Sequence, residues 1–444
     1  MGNKRKIGWI SAGALVVANM IGTGVFTTLG LQLNVLSNTW TILSLWILGG
    51  MIALFGAFSY AELGTRHPHS GGEYHFLTKM YNSFLGYLSG WVSLTVGFAT
   101  SIALSAMAMG NYLAPLVSFP SLWLAIISII GLSLIHSFSI RQSSFFQNIF
   151  TLLKILLILG LIIVSFIQSG TPNALDFSSS WQDEISTSGY AIALVYVMYA
   201  FSGWNAAAYI VDEIDTPVKN LPRALVGGTV LVSLLFIFLQ LAFLNQATIA
   251  QLQNKIEVGQ VVADLMFGAQ GGRIVSTLIA LLLVAGISAM IWVGPRVTHA
   301  MANEHQIWKF FAKDNNRGIP VRAIWLQAVI SLAMVLTSSF EQILLYSGFI
   351  LQLFTTLTVA GLLFERRKAN RHKIYRSPGY PYIQIIFLIF SIWLLAFLLY
   401  DKPRESLLGL FNILAGALSY WWNKRYHPEP PAAEKPKKKV VKVG

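Results

Sequence analysis

The chain has 444 residues, of which 55% are hydrophobic and 11% charged. Because soluble domains carry about a quarter of charged residues, this composition excludes an ordinary soluble protein and indicates a membrane protein with many spans. There is no cysteine, which excludes a disulfide framework, a thiol nucleophile and a cysteine metal site. The formal net charge of +13 comes from basic residues in short loops and at the two ends rather than from a nucleic-acid-binding surface.

Apolar runs recur along the whole chain, and a transmembrane helix needs about 20 such residues. Twelve runs qualify, at 9–36, 40–63, 84–113, 122–140, 145–167, 189–211, 224–244, 272–300, 323–337, 342–364, 382–400 and 407–422. The run at 323–337 is the shortest. The pattern predicts an all-α integral membrane protein with twelve transmembrane helices.

The basic residues fall almost entirely into alternate loops. With the N-terminus placed in the cytoplasm, the Lys and Arg residues outside the inner loops and ends are Lys154, Lys255, Arg273, Lys402 and Arg404. The outer loop at 169–188 carries acidic residues and no basic one. Because positive loops stay inside, we expect both termini in the cytoplasm and the protein in the plasma (cytoplasmic) membrane. Short termini favour a prokaryotic origin.

The first span is interrupted at residues 19–26. Gly22, Thr23 and Gly24 follow one another there, and two glycines beside a threonine are poor material for a continuous helix. In lipid such a break is tolerated where it is buried in protein or lines a cavity. The stretch therefore predicts a broken helix whose free backbone groups bind a small ligand, with a glycine packing face as the alternative.

The sixth span repeats this feature at residues 197–205, where Ser202 and Gly203 lie in the middle of an apolar run and Asn205 follows. Corresponding breaks five spans apart indicate an inverted repeat with a ligand site at its centre. We expect a first five-helix repeat at 9–168, a second at 189–364 and two further helices at 380–424. Residues 1–8 form a cytoplasmic N-terminus, and the basic segment 427–444 is expected to be disordered.

The two breaks suit a ligand that carries one negative and one positive charge. The half-helix that begins at Thr23 and Gly24 offers unpaired N–H groups and the positive end of its dipole to a carboxylate. Carbonyl groups of the half-helices that end at the breaks suit an ammonium group. Neither break carries a fixed charge, which favours a zwitterionic amino acid over a net anion or cation.

Lys154 is the one basic residue placed well inside a predicted span. An intramembrane charge costs about 2.5–3.5 kcal/mol on insertion scales, and such residues are usually functional. Gln147 and Thr151 share its helix face. Lys154 either acts as a fixed cation in place of a sodium ion, tying span five to span one, or takes up and releases a proton. Snorkelling is disfavoured because Lys154 lies about 13 Å into the span.

Motifs along most of the chain resemble the amino acid–polyamine–organocation (APC) superfamily, in its amino-acid permease and L-amino-acid transporter-like branch. The resemblance rests on Ile21-Gly22-Thr23-Gly24-Val25-Phe26, Tyr60-Ala61-Glu62-Leu63-Gly64-Thr65 with Ser70-Gly71-Gly72-Glu73-Tyr74, Phe201-Ser202-Gly203-Trp204-Asn205, Asp212-Glu213-Ile214 with Asn220-Leu221-Pro222-Arg223-Ala224, and Gly294-Pro295-Arg296-Val297.

This resemblance implies a leucine-transporter-type core of five plus five helices and sodium-independent transport by alternating access. It implies that the substrate-binding residues are Met20, Ile21, Gly22, Thr23, Gly24, Tyr199, Ala200, Phe201, Ser202 and Asn205. Tyr199 holds the position of an aromatic gate, and for Lys154 the sodium-replacing role is implied. Ser202 stands where carriers of bulky substrates have glycine, which predicts a narrow pocket.

The leading hypothesis is an exchanger of small neutral L-amino acids. Proton-coupled symport, a carrier for larger or cationic amino acids, and a non-transporting sensor are the alternatives. The spans hold no clustered carboxylates or Ser/His/Asp set, so an enzyme is not expected. We predict no metal, no cofactor, no nucleic-acid partner and no evident accessory subunit; the partners are the substrate and the bilayer. Glu62, Asp212, Glu213 and Arg296 form either an inner gate of ion pairs or solvated loop charges.

Overall fold

The computed structural model describes residues 6–138, 144–172, 174–316, 318–368 and 374–426. Within these ranges the chain is helical, and the only β-bridge among them joins Ile7 to Ile214. The segment 427–444, predicted to be disordered, lies outside the described residues. The fold class is therefore all-α.

The helices follow the predicted apolar runs. In chain order the α-helices are α1 (Trp9–Met20), α2 (Gly24–Gln32), α3 (Thr39–Arg66), α4 (Gly72–Met80), α5 (Ser83–Val92), α6 (Ala99–Val117), α7 (Ser121–Phe138), α8 (Ser144–Ile167), α9 (Trp181–Ile185), α10 (Ser188–Ala200), α11 (Pro217–Gln246), α12 (Ile249–Leu252), α13 (Val258–Glu304), α14 (Val321–Thr337), α15 (Phe340–Lys368), α16 (Tyr382–Asp401) and α17 (Pro403–Tyr426). A π-helical segment, Ser93–Phe98, joins α5 to α6, and 3-10 helices cover Ala206–Glu213 and Gln306–Ala312.

Nine helical segments among the described residues are long and apolar enough to cross a membrane. They are Trp9–Gln32, Thr39–Arg66, Ser83–Val117, Ser121–Phe138, Asn148–Ile167, Pro217–Gln246, Val258–His299, Phe340–Arg366 and Tyr382–Asp401. Two shorter apolar helices, α10 and α14, have 13 and 17 residues. The protein is therefore a multi-pass membrane protein.

Several helix boundaries differ from the apolar runs. The run at 189–211 is divided, because α10 ends at Ala200 and a 3-10 helix follows. The run at 272–300 forms the main part of α13 and follows a kink at Gly268, where φ is +72°. A shorter helical stretch that begins at Val258 precedes this kink.

Polar contacts join the helix ends on each side of the bundle. On one side, called the basic side below, the Ile7 N–H donates to the Glu213 carbonyl at 2.8 Å, and Arg66 pairs with Glu62. On the opposite side, Asn38 caps α3 by accepting from the Trp40 N–H at 2.8 Å. Between these ends, α11 packs against α1 and α3, and α13 packs against α6.

Candidate binding site at two facing helix breaks

The first break separates α1 from α2. Met20 ends α1 and Gly24 begins α2, and Ile21 between them has a ψ of 82°, outside the helical range. The Gly22 N–H turns back to the Met20 carbonyl at 2.8 Å. At the start of α2, from Thr23 onward, the first N–H groups have no acceptor inside their own helix and carry its positive dipole end.

The second break follows α10. The Ser202 N–H donates to the Tyr199 carbonyl at 2.9 Å, which closes the last turn after Ala200. Gly203 then has a φ of +96°, a conformation that L side chains rarely adopt. The chain continues as a 3-10 helix from Ala206. As at any helix C-terminus, the last carbonyl groups of α10 have no N–H partner within the helix itself.

The two breaks lie directly against each other. A Cβ atom on Gly24 would come within 2.4 Å of the Ala200 Cα, and one on Gly203 within 2.9 Å of the Asn19 carbonyl oxygen. The hydroxyl groups of Thr23 and Tyr199 are 3.3 Å apart. The N-terminal end of α2 therefore faces the C-terminal end of α10, and glycine at both positions makes this approach possible.

The remaining predicted residues point in different directions. Phe201 is fully buried, and its ring lies 5.9 Å from that of Trp46 and 5.3 Å from that of Phe236. The part of Phe201 that faces the break is therefore its backbone. The amide of Asn205 donates to Glu73 Oε1 at 3.3 Å, towards the basic side. Ser202 is half-buried.

Polar side chains that sequence reasoning did not select hold α2 in place. Gln240 of α11 donates to the Val25 carbonyl at 3.0 Å. The Tyr112 hydroxyl donates to the Phe26 carbonyl at 2.8 Å and accepts from the Gly259 N–H at 3.1 Å. The sequence did carry a signal for Gln240, because a glutamine inside the apolar run of α11 needs a hydrogen-bond partner when it is buried. Its partner could not be read from the sequence.

Lys154 connects α8 to α1. Its side chain is 8% exposed, and its Nζ donates to the Ala18 carbonyl at 3.1 Å. Ala18 lies two residues before the end of α1. Thr151, one helical turn earlier, is also buried, whereas the side chain of Gln147 lies outside what the structure describes. The amine thus lies next to the first break, without entering it.

The charges considered as an inner gate are not all solvated. Glu62 is fully buried, with Arg66 at 2.7 Å and Arg366 at 3.4 Å. The Ser377 N–H also donates to Glu62, at 2.8 Å. Asp212 is more exposed and accepts from the Ser70 N–H at 2.8 Å. Glu62 therefore belongs to a buried ion-pair network on the basic side.

The chemistry of the site is that of backbone dipoles. No residue between positions 19 and 26 or between 197 and 205 is ionisable at neutral pH. Among the described residues, no group of three His, Cys, Asp or Glu could hold a metal ion. The arrangement offers N–H donors from one half-helix and carbonyl acceptors from another, a few ångströms apart, to a small ligand with both charges.

Broken membrane helices that face each other are typical of membrane carriers. A family model described as amino acid permease matches residues 7–419. The chain belongs to this family, within the APC superfamily of amino-acid transporters.

Curated relatives cover nearly the whole chain. It is 29% identical over 451 residues to the human large neutral amino acids transporter small subunit 2, covering 96% of this chain and 82% of the relative. It is 28% identical over 436 residues to the Bacillus subtilis serine/threonine exchanger SteT, covering 96% and 98%. It is 27% identical over 440 residues to the mouse Asc-type amino acid transporter 1, covering 95% and 82%.

Proposed function

We propose that this protein is a sodium-independent exchanger of small neutral L-amino acids that works by alternating access. The observation that carries the proposal is the contact between the two breaks, where Gly24 and Ala200 meet without any ionisable side chain. A net charge on the ligand would lack a counter-charge there, whereas a zwitterion matches both helix ends. The name of the Bacillus subtilis relative, a serine/threonine exchanger, agrees with small neutral substrates, whereas the human relative is named for large neutral amino acids.

Each half of the zwitterion is assigned to one set of backbone groups. The substrate carboxylate binds the N–H groups at Thr23 and Gly24, which begin α2. The ammonium group binds carbonyl groups at Met20 and Ile21 and at the end of α10. Tyr199 covers the bound substrate as an aromatic gate, and its hydroxyl group is already within 3.3 Å of the Thr23 hydroxyl.

Lys154 supplies the fixed positive charge that makes sodium unnecessary. Its ammonium group donates to the carbonyl of Ala18 at 3.1 Å and so holds the end of α1 against α8. A sodium ion coordinated by carbonyl groups would provide the same link between a broken helix and a neighbour. The Lys154 ammonium group provides it without ion binding.

The proposed architecture has twelve spans in five-plus-five inverted repeats with two further helices. The nine long apolar segments, the shorter α10 and α14, and α17 supply the spans. The basic side is placed in the cytoplasm. The human relative is named a small subunit and the Bacillus subtilis relative is not; we propose that this chain transports without an accessory subunit.

A reconstitution experiment tests the function. Purified protein is placed in proteoliposomes that contain unlabelled alanine or none, and uptake of labelled alanine is followed with and without a pH gradient, in sodium-free buffer. We expect uptake only when alanine is present inside. Because the vesicles contain this chain alone, uptake also tests the absence of an accessory subunit.

The other outcomes separate the alternatives. Uptake driven by the pH gradient into empty vesicles would identify a proton-coupled symporter instead. Competition by leucine or arginine stronger than that by serine would move the substrate class to larger or cationic amino acids. Binding of alanine without any flux would identify a sensor and end the transporter hypothesis.

A further inference from the structure

An open groove, called the Arg223 groove below, lies on the membrane-facing surface at the basic side. Its cavity volume is about 510 Å³. Trp9 of α1, Phe58 of α3 and Tyr375 of the segment before α16 line it, together with Arg223 and Gly227 of α11. Three membrane helices therefore meet around one largely apolar depression, and Arg223 is the charged side chain among its lining residues.

One face of α11 runs from this arginine into the membrane. Arg223 is the seventh residue of α11, and Gly227 follows one helical turn later on the same face. Further along α11, Val230, Leu231 and Leu234 are exposed. The exposed surface of α11 therefore carries a cation near the basic end and apolar residues at greater depth, which is the order of headgroup and acyl chain in a phospholipid.

Arg223 is exposed and has no ion-pair partner among the described residues. Arg66 and Arg366 on the same side, by contrast, both contact Glu62. Asp215, the carboxylate nearest to Arg223 along the chain, lies beyond ion-pair distance. A guanidinium group can donate two parallel hydrogen bonds to a phosphate group. Arg223 is therefore available to an anion at the membrane surface.

The groove has fixed walls and free space between them. A Cβ atom on Gly13 of α1 would lie 3.8 Å from the Ala224 Cα, so α1 and α11 touch each other beside the groove. The Tyr375 N–H donates to the Thr65 hydroxyl at 3.2 Å, which holds the segment before α16 against α3. A Cβ atom on Gly227 would meet no atom within 4 Å. The space over Gly227 is therefore open to a ligand.

We propose that the Arg223 groove binds a phospholipid with a net negative headgroup. The phosphate pairs with the Arg223 guanidinium group, and one acyl chain lies over Gly227 along α11. Trp9, the first residue of α1, lies beside the headgroup, where indole rings are favoured. Basic pockets between membrane helices bind anionic lipids in many membrane proteins. The site contains no residue of the two helix breaks, so the proposal does not depend on the transported substrate.

The charge of the groove decides which lipid it prefers. Apolar walls alone do not select a lipid, because the surrounding bilayer offers an acyl chain the same contacts. Lys219 lies one helical turn before Arg223 and is exposed, and Arg376, next to Tyr375, is exposed as well. These cations repel the choline group of a zwitterionic lipid, whereas the headgroup of phosphatidylglycerol carries no cation. We therefore expect anionic lipid to displace zwitterionic lipid from the groove.

The test uses the purified full chain in detergent with equal amounts of dioleoyl phosphatidylglycerol and dioleoyl phosphatidylcholine, and native mass spectrometry measures the lipid that stays bound. We expect phosphatidylglycerol to predominate. Arg223→Gln should lower its retention by about fivefold, which is the effect of one basic residue near a membrane surface. Gly227→Trp should also lower it, because the indole ring occupies the space of the acyl chain.

Two matched variants control for charge and for bulk. Lys309→Gln removes an exposed cation from another inner loop, and Gly160→Trp adds an indole ring to α8 at a position where a Cβ atom also meets nothing within 4 Å. Both should keep the lipid preference of the unmodified chain.

Thermal unfolding in detergent gives a second measurement and shows whether each variant is folded. Phosphatidylglycerol should raise the unfolding midpoint of the unmodified chain and of both controls more than phosphatidylcholine does, because a ligand that binds the folded state stabilises it. Arg223→Gln and Gly227→Trp should unfold cooperatively but lose this difference between the two lipids.

The other outcomes overturn the lipid site. Equal retention of the two lipids would show that the groove does not recognise charge. A preference for phosphatidylglycerol that persists in Arg223→Gln or in Gly227→Trp would place the bound lipid elsewhere. A rise in the unfolding midpoint with inorganic phosphate as large as that with phosphatidylglycerol would identify a simple anion site. None of these measurements uses transport, so they decide the lipid site whether or not the chain exchanges alanine.

Discussion

At the residue scale, two glycines set the distance between the half-helices. Gly24 and Gly203 lie at contacts where any side chain would overlap backbone atoms of the opposite break. Overlap with backbone cannot be relieved by rotating a side chain, so a larger residue must move one half-helix. The geometry of the breaks depends on these positions more than on any polar side chain.

Gly24→Ala should therefore lower alanine uptake by about tenfold or more, equivalent to about 1.4 kcal/mol of lost binding or barrier energy. Its new Cβ would come within 2.4 Å of the Ala200 Cα. Gly131→Ala is the matched control, because a Cβ there meets no atom within 4 Å. The measurement that compares the two variants is alanine uptake per amount of folded protein, with folding checked by size-exclusion chromatography. Equal uptake by both variants would show that the close contact is unimportant.

We propose that Ser202 at the second break limits the size of the substrate side chain. Ser202→Gly removes the only side-chain atoms at that position, so leucine and phenylalanine should compete better for alanine uptake, with inhibition constants lower by about threefold to tenfold. Ser202→Ala keeps the Cβ and should leave the order of competitors unchanged. An unaltered order in both variants would mean that Ser202 does not limit substrate size.

At the element scale, the sequence predicted helices well and contacts between them poorly. Apolar runs identify membrane helices because lipid demands about 20 apolar residues and a satisfied backbone. The breaks were predicted for the same reason, since Gly22 and Gly203 are conspicuous in such runs. The partners of Glu73, Gln240 and Tyr112 are distant in sequence, and periodicity within one helix carries no information about them.

One ammonium group makes a polar contact between α8 and α1. Lys154→Met keeps the apolar stem and removes the donor, which leaves the Ala18 carbonyl without its partner at 3.1 Å. An orphaned buried acceptor costs about 1–3 kcal/mol, so uptake should fall by roughly fivefold to 150-fold. Lys154→Ala should behave likewise, and should make transport strongly asymmetric between the two faces.

A control variant separates the effect of Lys154 from general damage to α8. Leu156 lies two residues further along α8 and is 53% exposed, so Leu156→Ala should transport normally. Uptake measured in each direction in reconstituted vesicles distinguishes the variants. Unchanged kinetics in Lys154→Met would exclude the sodium-replacing role.

At the scale of the whole molecule, alternating access needs a defined orientation. The basic residues gather on the side where Arg66 and Arg366 meet Glu62. The opposite side carries the acidic loop in which Glu184 accepts from the Ser37 N–H at 2.8 Å. Since basic loops are retained in the cytoplasm, the basic side should face the cytosol.

The absence of cysteine makes this orientation directly measurable. His69, with a side chain 67% exposed, lies on the basic side, and Ser179 is exposed on the opposite side. In intact cells a membrane-impermeant maleimide should label Ser179→Cys and should label His69→Cys only after permeabilisation. The cysteine-free parent controls for background, and alanine uptake by both variants controls for folding. The reverse labelling pattern would place the basic side outside the cell and overturn the proposed orientation.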